Sequence, residues 1–209
     1  MKRFSPISTI EPKQVLDYWF GDAATNPDIA QQKKRLWYRS NTATDTEISE
    51  QFGTLLDRAA NGYFDQWCGE TRSALALVIV LDQFSRHIHR GTALAFSQDA
   101  KALEIVSVLP DDQQLSLIEQ AFFYHPYKHA ECRESQARSV ALFKNLVKKS
   151  DGGWRPIMNN FYNNALKHQE IVNEFGRFPH RNRILSRPST DQELAYLTAH
   201  PGNFGQRKR

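Results

Sequence analysis

The 209-residue sequence predicts an all-α protein, and three of its features indicate that class. Apolar residues recur three and four positions apart through most of the chain, which is the spacing of one helical face. Proline, glycine and capping residues stand where such helices would begin and end. Residues 74–81 could also form a buried strand, but the sequence offers no second strand to pair with them. We therefore expect helices joined by short turns.

The first three helices are predicted from the residues at their boundaries. Glu-Pro at 11–12 begins the first helix, because a proline there loses only an N–H that would be unpaired anyway, and Gly21 ends it. Asn-Pro at 26–27 begins the second helix in the same way. The pattern Thr-Asp-Thr-Glu at 44–47 is typical of a capping box and predicts the start of the third helix, which Gly62 follows.

The fourth predicted helix is apolar on every side, and we expect it to be buried at the centre of the fold. Thr71 would cap it, and its apolar core would cover about residues 74–84. Pro110, Gly153 and Gly176 separate further segments of helical spacing. These segments predict helices at about 92–109, 111–124, 130–149, 155–175 and 190–199.

Length and composition are those of an ordinary globular protein. Hydrophobic residues make up 40% and charged residues 24%, which fits one domain over 1–209, or two closely packed helical halves at about 1–70 and 71–209. Cys68 and Cys132 lack the spacing of a metal site, and we expect free buried thiols in a reducing compartment. No secretory leader or membrane-spanning run is visible, so we expect a cytoplasmic protein without membrane contact.

The net charge of +4 is concentrated at the C-terminal end. Residues 175–209 carry a net charge of +5, whereas the first 174 residues together carry −1. Such an excess favours attraction to an anion, and a solvated tail explains residues 206–209 at least as well. No nucleic-acid-binding motif accompanies the charge, so a nucleic-acid partner is disfavoured.

The first of three polar segments is DQFSRH at 82–87. Asp82 and Arg86 lie four positions apart, share a helical face and are expected to pair. Because Asp82 follows the most apolar stretch of the chain, an unpaired carboxylate there would be costly. Two roles stay open. The pair could lock the helix end, or Asp82 could orient Arg86 toward an anionic ligand.

The second segment is HPYKHAE at 125–131, where we expect Pro126 to end one helix and the next to begin near residue 130. His129 and Glu131 would then lie at a helix junction, where they could form an acid/base couple, bind a metal or cap the helices. A metal is disfavoured because the two histidines of the segment straddle the proline. We expect no metal and no cofactor.

The third segment is FGRFPHRN at 175–182, which follows a predicted helix. It contains Arg177, His180 and Arg181, and guanidinium groups bind phosphate and carboxylate in bidentate fashion. The same cations could instead neutralise the free carbonyl groups at the end of the helix. His168 lies on the apolar face of that helix, which is typical of a satisfied core histidine.

Five stretches of the chain carry a family resemblance. They are VLDYWFG at 15–21, LALVIVLDQFSRHIHRGTALAF at 75–96, YHPYKHAE at 124–131, QARSVALF at 136–143 and FGRFPHRNRILSRPST at 175–190. With these stretches in this order, the sequence resembles, over nearly its whole length, the bacterial family called domain of unknown function 924. The resemblance implies a tetratricopeptide-like array of antiparallel helices around the apolar central helix. The resemblance implies no particular reaction, because the family has no established one.

The resemblance also implies a set of candidate functional residues. These are Asp82, Gln83, Arg86, His129, Glu131, His168, Arg177, His180, Arg181 and Asn182. The sequence departs from the family pattern at Ser85 (usually Pro), His87 (usually Asn), His89 (usually aromatic) and Ala130 (commonly Ser). A role for the family's Asn or Ser is therefore not carried over to this chain.

Two functions follow from these patterns. In the first, the three segments meet in one pocket for a small metabolite with a phosphate or carboxylate group. That ligand would be bound by Asp82, Arg86, Arg177, His180 and Arg181. A couple of His129 and Glu131 would move a proton, with hydrolysis as the first reaction to test. In the second, the protein is a tetratricopeptide-like scaffold for a protein or peptide partner, and the polar segments are structural.

Overall fold

The structure, a computed structural model, describes residues 10–39, 41–109 and 113–200. Pro110, the start of the helix predicted at 111–124 and the segment before residue 10 lie outside this part of the chain. The basic residues at 207–209, which contribute to the predicted C-terminal charge, lie outside it as well.

The described residues form helices joined by turns and contain no strand, which confirms the all-α class. The helices are α1 (Pro12–Trp19), α2 (Pro27–Tyr38), α3 (Thr42–Ala60), α4 (Thr71–Val78), α5 (Ser85–Ile88), α6 (Asp99–Val108), α7 (Leu117–Phe123), α8 (His125–His129), α9 (Arg133–Lys149), α10 (Trp154–Phe175) and α11 (Asp191–Ala199). A π-helical segment, Ile79–Phe84, joins α4 to α5, and a 3₁₀ turn, Pro179–Arg181, follows α10. The tetratricopeptide-like arrangement and the number of domains stay predictions.

The predicted starts of the first two helices are confirmed at Pro12 and Pro27. The side-chain oxygen of Asn26 accepts hydrogen bonds from the backbone N–H groups of Asp28 and Ile29, at 2.9 and 3.3 Å. Because these donors have no partner inside the helix, the Asn26 side chain determines where α2 begins.

The start predicted for the third helix is wrong, because it is placed too late in the chain. Helix α3 begins at Thr42, and the side chain of Asn41 accepts a hydrogen bond from the backbone N–H of Ala43 at 3.0 Å. Asparagine satisfies the free donors of a helix start as well as threonine does, and it stands earlier in the sequence. The expected capping box therefore lies inside the helix, where Asp45 pairs with the distant Arg90.

Three later helices begin after their predicted starts. A 3₁₀ turn, Ala93–Phe96, precedes α6, which begins at Asp99. Helix α7 begins at Leu117 and α9 at Arg133. Helix α10 ends at Phe175 as predicted, with the next residue in the left-handed region at φ 71°.

The helix predicted at the centre of the fold is confirmed there. Residues 74–85 are all buried, and they form most of α4, the π-helical segment and the start of α5. The ring of Phe84 packs against Trp19 of α1 and Phe52 of α3, with centroids 5.6 and 4.6 Å apart. Turns of π-helix are uncommon and occur frequently at functional sites, and this one contains Asp82.

A second, smaller apolar cluster lies at the C-terminal end of α10. Ile171, Val172 and Phe178 are buried in it, and Phe175 and Tyr196 pack against it. This cluster attaches the residues that follow α10, together with α11, to the end of that helix.

Two further expectations concern the surroundings of the protein. Among the described residues, no helix combines the length and the apolar character that a bilayer crossing requires. Both cysteines are free, as predicted. They are not buried, because Cys68 is only partly covered and Cys132 lies exposed just before α9.

Candidate functional site

Asp82 links the first two polar segments. It is fully buried in the π-helical segment, and it accepts a hydrogen bond from Nδ1 of His129 at 2.7 Å. Nη2 of Arg86 lies 3.3 Å from Oδ1 of Asp82, which confirms the predicted pair, and the side-chain amide of Gln83 donates to Oδ2. These three donors compensate for the loss of water around a buried carboxylate.

Asp99, at the start of α6, joins the first and third segments. Its two oxygens accept hydrogen bonds from the Nη atoms of Arg86 at 2.9 and 3.1 Å, and Oδ2 accepts one from Arg181 at 3.4 Å. Burial acts to lower the pKa of Arg86, but the charges of Asp82 and Asp99 outweigh it and raise the pKa above its ordinary value. The guanidinium of Arg86 is therefore a permanent positive charge.

Glu131 joins the second and third segments, although not through the predicted couple. Its carboxylate accepts hydrogen bonds from the backbone N–H of Phe178 at 2.8 Å and from both Nη atoms of Arg187, one of them at 2.9 Å. Burial acts to raise the pKa of Glu131, but these donors lower it. The expected couple of His129 and Glu131 is not formed, because Arg187 occupies the carboxylate and His129 bonds to Asp82.

Arg177 and Asn182 lie around Glu193 of α11. Arg177 donates to Glu193 at 2.6 and 2.8 Å and to the carbonyl oxygen of Pro188 at 2.9 Å. Asn182 donates to the same carboxylate at 3.2 Å, and so does the backbone N–H of Thr190 at 2.8 Å, which caps the helix. The anion-binding role predicted for Arg177 does not fit this position, because its guanidinium already binds a carboxylate at the helix start.

A cavity of about 320 Å³ lies beside the ion pairs of Asp82 and Asp99, between α2, the central helix, α8, α10 and the turn Pro179–Arg181. All three polar segments contribute to its wall. The lining residues are Trp37, Tyr38, Gln83, Arg86, His87, Arg90, Phe96, His125, Lys128, His129, Asn164, His168, His180 and Arg181. Its volume is at the lower end of the range for small-molecule sites.

Lys128 is the cation of this wall that has no carboxylate partner among the described residues. The residue is only 5% exposed, and Nζ lies 5.8 and 5.9 Å from the ring centres of Phe143 and Phe161. Burial lowers the pKa of Lys128 to about 7, with Asp82 acting in the opposite direction and Arg86 in the same direction. Lys128 therefore changes its charge near neutral pH.

The arginines of the wall differ in how completely they are paired. Arg90 donates from Nε and Nη2 to the two oxygens of Asp45, each at 2.8 Å. Arg181 lies between the rings of Phe96 and Phe178, at 4.6 and 4.5 Å from their centroids. Its Nε is buried and has no hydrogen-bond partner within the described part of the chain. Burial lowers the pKa of Arg181 to about 10.

Three histidines of the wall share one hydrogen-bonding pattern. Nδ1 of His125 lies 2.7 Å from the carbonyl oxygen of Ala121, and Nδ1 of His168 lies 2.8 Å from that of Asn164. Because a carbonyl oxygen only accepts hydrogen bonds, Nδ1 carries the proton in both of these rings and Nε2 is an acceptor. In His129, Nδ1 donates to the carboxylate of Asp82, so Nε2 is an acceptor there as well. Burial lowers the pKa of all three, to about 3 for His168, so the rings are neutral.

His180 and His87 complete the wall. His180 lies in the turn after α10, and burial lowers its pKa to about 3. His87, one of the unusual positions of the sequence, contacts Asp45 through Nδ1 at 3.0 Å. Ser85, another such position, donates to the carbonyl oxygen of Leu94 at 3.2 Å and does not line the cavity. Because His87 lines the cavity, the departure from the family pattern at this position changes the cavity wall.

Residues His125–His129 form helix α8, although a break was predicted at Pro126. Proline is tolerated in the first turn, where its missing N–H costs no hydrogen bond. The rings of His125 and His129 consequently lie on one side of the helix, with centroids 5.4 Å apart. Even so, within residues 10–39, 41–109 and 113–200 no group of three histidine, cysteine or acidic residues is placed to hold a metal ion.

Three residues of the site, Lys128, Asp99 and Asp45, are not marked by the sequence patterns. Lys128 lies three positions after His125 and one before His129, so a helical interpretation of the second segment would have placed all three on one face. Asp45 and Asp99 stand in the first turns of their helices, where the helix dipole ordinarily explains an acidic residue.

Comparison with known proteins adds a family and a similar structure. The family model described as "Bacterial protein of unknown function (DUF924)" matches residues 15–201. The solved structure of a protein of unknown function from Agrobacterium tumefaciens, ATU0120, is similar, with a TM-score of 0.74 and 32% sequence identity. The match covers 91% of this chain and 97% of that one. No curated protein was found to match the sequence.

Proposed function

The chain belongs to the bacterial family of unknown function DUF924, and we propose from the chemistry of its cavity that it binds a small molecule with a phosphate or carboxylate group. The proposed anion site differs from the one predicted from the sequence. It is centred on Lys128 and Arg181, with Arg86 and His180 in the same wall, and it leaves out Arg177 and Glu131.

The proposal rests on Lys128, whose ammonium group has no counter-ion among residues 10–39, 41–109 and 113–200. Every arginine in the wall contacts a carboxylate, from Asp45, Asp82 or Asp99. Lys128 has no such contact with a described residue, although it is buried beside them. A buried ammonium without a counter-ion is costly, and an anionic ligand would supply the missing charge.

Arg181 is the second group that an anion would contact. Its Nε donor is buried without a partner in the described residues, and its contact with Asp99 is long, at 3.4 Å. Packing between Phe96 and Phe178 fixes the plane of the guanidinium, so little freedom would be lost on binding. Arg86 already directs two donors to Asp99 and would act mainly through its charge.

A hydrolytic step is the first chemistry to assay, with His129 as the proposed proton acceptor. Asp82 holds the ring through Nδ1, which leaves the Nε2 lone pair available, as a general base requires. Burial lowers the pKa of His129, and an anionic ligand beside the ring would raise it again. No Ser, Thr or Cys of the described residues lines the cavity, and in a hydrolysis that His129 assists the attacking group would be water.

Calorimetric titration and thermal unfolding with inorganic phosphate, citrate and pyruvate test the proposal. Wild type is compared with Lys128→Met, and with Lys167→Met as a matched control, because Lys167 is exposed on α10. Loss of a charged hydrogen bond predicts an affinity about tenfold to a hundredfold weaker in Lys128→Met alone. A ligand at a hundred times its dissociation constant should add about 2.7 kcal/mol to the free energy of unfolding of the other two proteins.

Equal affinity of wild type and Lys128→Met would contradict the proposed site. If the protein instead binds a peptide and has no affinity for any of the three anions, the result would favour the alternative function, a scaffold for a protein or peptide partner.

A further inference from the structure

Lys128 differs from other lysines of the protein in how its ammonium group is bonded. Lys101 pairs with Asp65 at 2.7 Å, and Lys33 donates to the carbonyl oxygen of Tyr18 at 2.7 Å. Lys128 lines the cavity and is 5% exposed, and its Nζ forms no hydrogen bond or ion pair with a described residue. No described group therefore bonds Nζ directly, and the charge of Asp82 is the influence that favours its protonated form.

The surroundings of Nζ favour the uncharged amine. Burial lowers the pKa of Lys128 to about 7, against the opposing charge of Asp82 and with Arg86 acting in the same direction. Near neutral pH a far larger fraction of the molecules would therefore carry a free amine there than at a lysine of ordinary pKa. A desolvated lysine next to another cation is a recurrent form of the amine nucleophile in enzymes.

The rest of the cavity offers what an amine needs in order to react with a carbonyl compound. Arg181 has a buried donor without a partner in the described residues, which could hold an acidic group of the ligand. His129 follows Lys128 in α8, and its Nε2 can accept and return a proton because Nδ1 donates to Asp82. An amine, an anion-binding group and a proton carrier thus line the same cavity.

We propose that Lys128 forms an imine with the carbonyl carbon of a ligand that also carries a carboxylate or phosphate group, such as a 2-oxo acid. This inference rests on the anion binding proposed above. The amine adds to the carbonyl carbon, and a proton passes from nitrogen to oxygen, which gives a carbinolamine. The hydroxyl group then leaves with the remaining proton of the nitrogen as one water molecule, and a C=N bond forms. The reaction needs no oxidant, reductant or cofactor.

Reductive trapping tests the imine directly on the wild-type protein. Glyoxylate, which combines an aldehyde with a carboxylate, is added at pH 7 with cyanoborohydride, which reduces an imine to a stable secondary amine. Peptide mass spectrometry then locates the label. We expect Lys128 to be labelled at least about tenfold faster than any other lysine, since its free-amine fraction is far larger. Inorganic phosphate should slow this labelling, because it would occupy the same cavity.

Two variants and the phosphate titration of wild type separate the imine from anion binding. Lys128→Arg keeps the positive charge but has no amine, so no label should appear at this position or pass to a neighbouring lysine. Lys167→Arg is the matched control and should keep the label on Lys128. Phosphate binding without preferential labelling of Lys128 in the wild type would overturn the imine and leave the anion site standing. Absence of both binding and labelling would overturn both.

Discussion

Nδ1 of His129 lies 2.7 Å from Oδ1 of Asp82, although 47 positions separate the two residues in the sequence. The bond connects the central helix to α8 across the edge of the cavity. It orients the imidazole and leaves Nε2 as an acceptor. The same carboxylate lies 3.3 Å from Arg86, so Asp82 holds a histidine and an arginine of the cavity wall at once.

Replacing Asp82 should therefore destabilise the fold strongly. In Asp82→Asn the buried Arg86 loses part of its counter-charge, and removal of one partner of a buried pair costs about 3–5 kcal/mol. Urea denaturation measures this loss. Asp17→Asn is the control, because Asp17 pairs with Lys13 on the exposed face of α1 and such pairs contribute less than about 1 kcal/mol. Equal losses in the two variants would show that the Asp82 carboxylate does not stabilise its neighbours.

The helices and the Asp82–Arg86 pair could be predicted because the signals for them are local. Apolar periodicity over one turn predicts a helix, and a spacing of four predicts that two side chains meet. At the start of α3 the local signal was wrong because two residues, Asn41 and Thr44, competed for one role. Here the earlier residue caps the helix.

The partners of the remaining charges could not be predicted from the sequence. Glu131 meets Arg187 across 56 positions, and Asp99 meets Arg181 across 82. Several cations and carboxylates of the chain could have paired, and the choice among them depends on how the helices pack. Residues of all three polar segments line the cavity, but the sequence did not reveal that Lys128 would have no carboxylate partner among the described residues.

Glu131→Gln tests whether the hydrogen bonds of the Glu131 carboxylate stabilise the fold. The variant loses charge-assisted bonds to Arg187 and weakens the bond to the backbone of Phe178, so we expect a loss of about 1–3 kcal/mol in the free energy of unfolding. Glu134→Gln, at an exposed position of α9, should cost less. Chemical denaturation compares the two. A shift in the pKa of His129 on NMR titration of Glu131→Gln would instead support the couple predicted from the sequence.

Lys128→Met should be more stable than wild type at pH 6 by about 1–4 kcal/mol, because it removes a buried ammonium that has no counter-ion among the described residues. The difference should shrink above pH 7. The folded protein releases the Lys128 proton near pH 7, whereas the unfolded chain keeps it to about pH 10.4. The unfolded state then binds more protons, so wild-type stability rises by up to about 1.4 kcal/mol per pH unit.

Denaturation of wild type and Lys128→Met between pH 6 and 9 measures this difference, with Lys167→Met as the control. The charges of Asp82 and Arg86 shift the pKa of Lys128. The charge of Lys128 in turn lowers the pKa values of His125, His129 and His168. The three histidines are present in both wild type and Lys128→Met, so their contribution to the slope between pH 6 and 7 should largely cancel in this comparison. A wild-type curve parallel to that of Lys128→Met would show that Lys128 is protonated throughout.

The buried neutral histidines should make the protein sensitive to mild acid. Their pKa values lie below the unfolded value of about 6.5, so below that pH the unfolded chain binds protons that the folded protein does not. Stability should fall between pH 7 and 5 by up to about 1.4 kcal/mol per pH unit for each such histidine. Most carboxylates stay ionised in this window, so the slope reports mainly on the imidazoles.

His168→Gln measures one of these contributions, because its amide can still donate to the carbonyl oxygen of Asn164 but does not titrate. The variant should lose up to about 1.4 kcal/mol per pH unit of the slope between pH 5 and 7. His200→Gln, at an exposed position after α11, is the control. If both variants keep the wild-type slope, His168 is protonated in the folded protein. Its environment in the cavity wall would then have to include an anion even in the absence of added ligand.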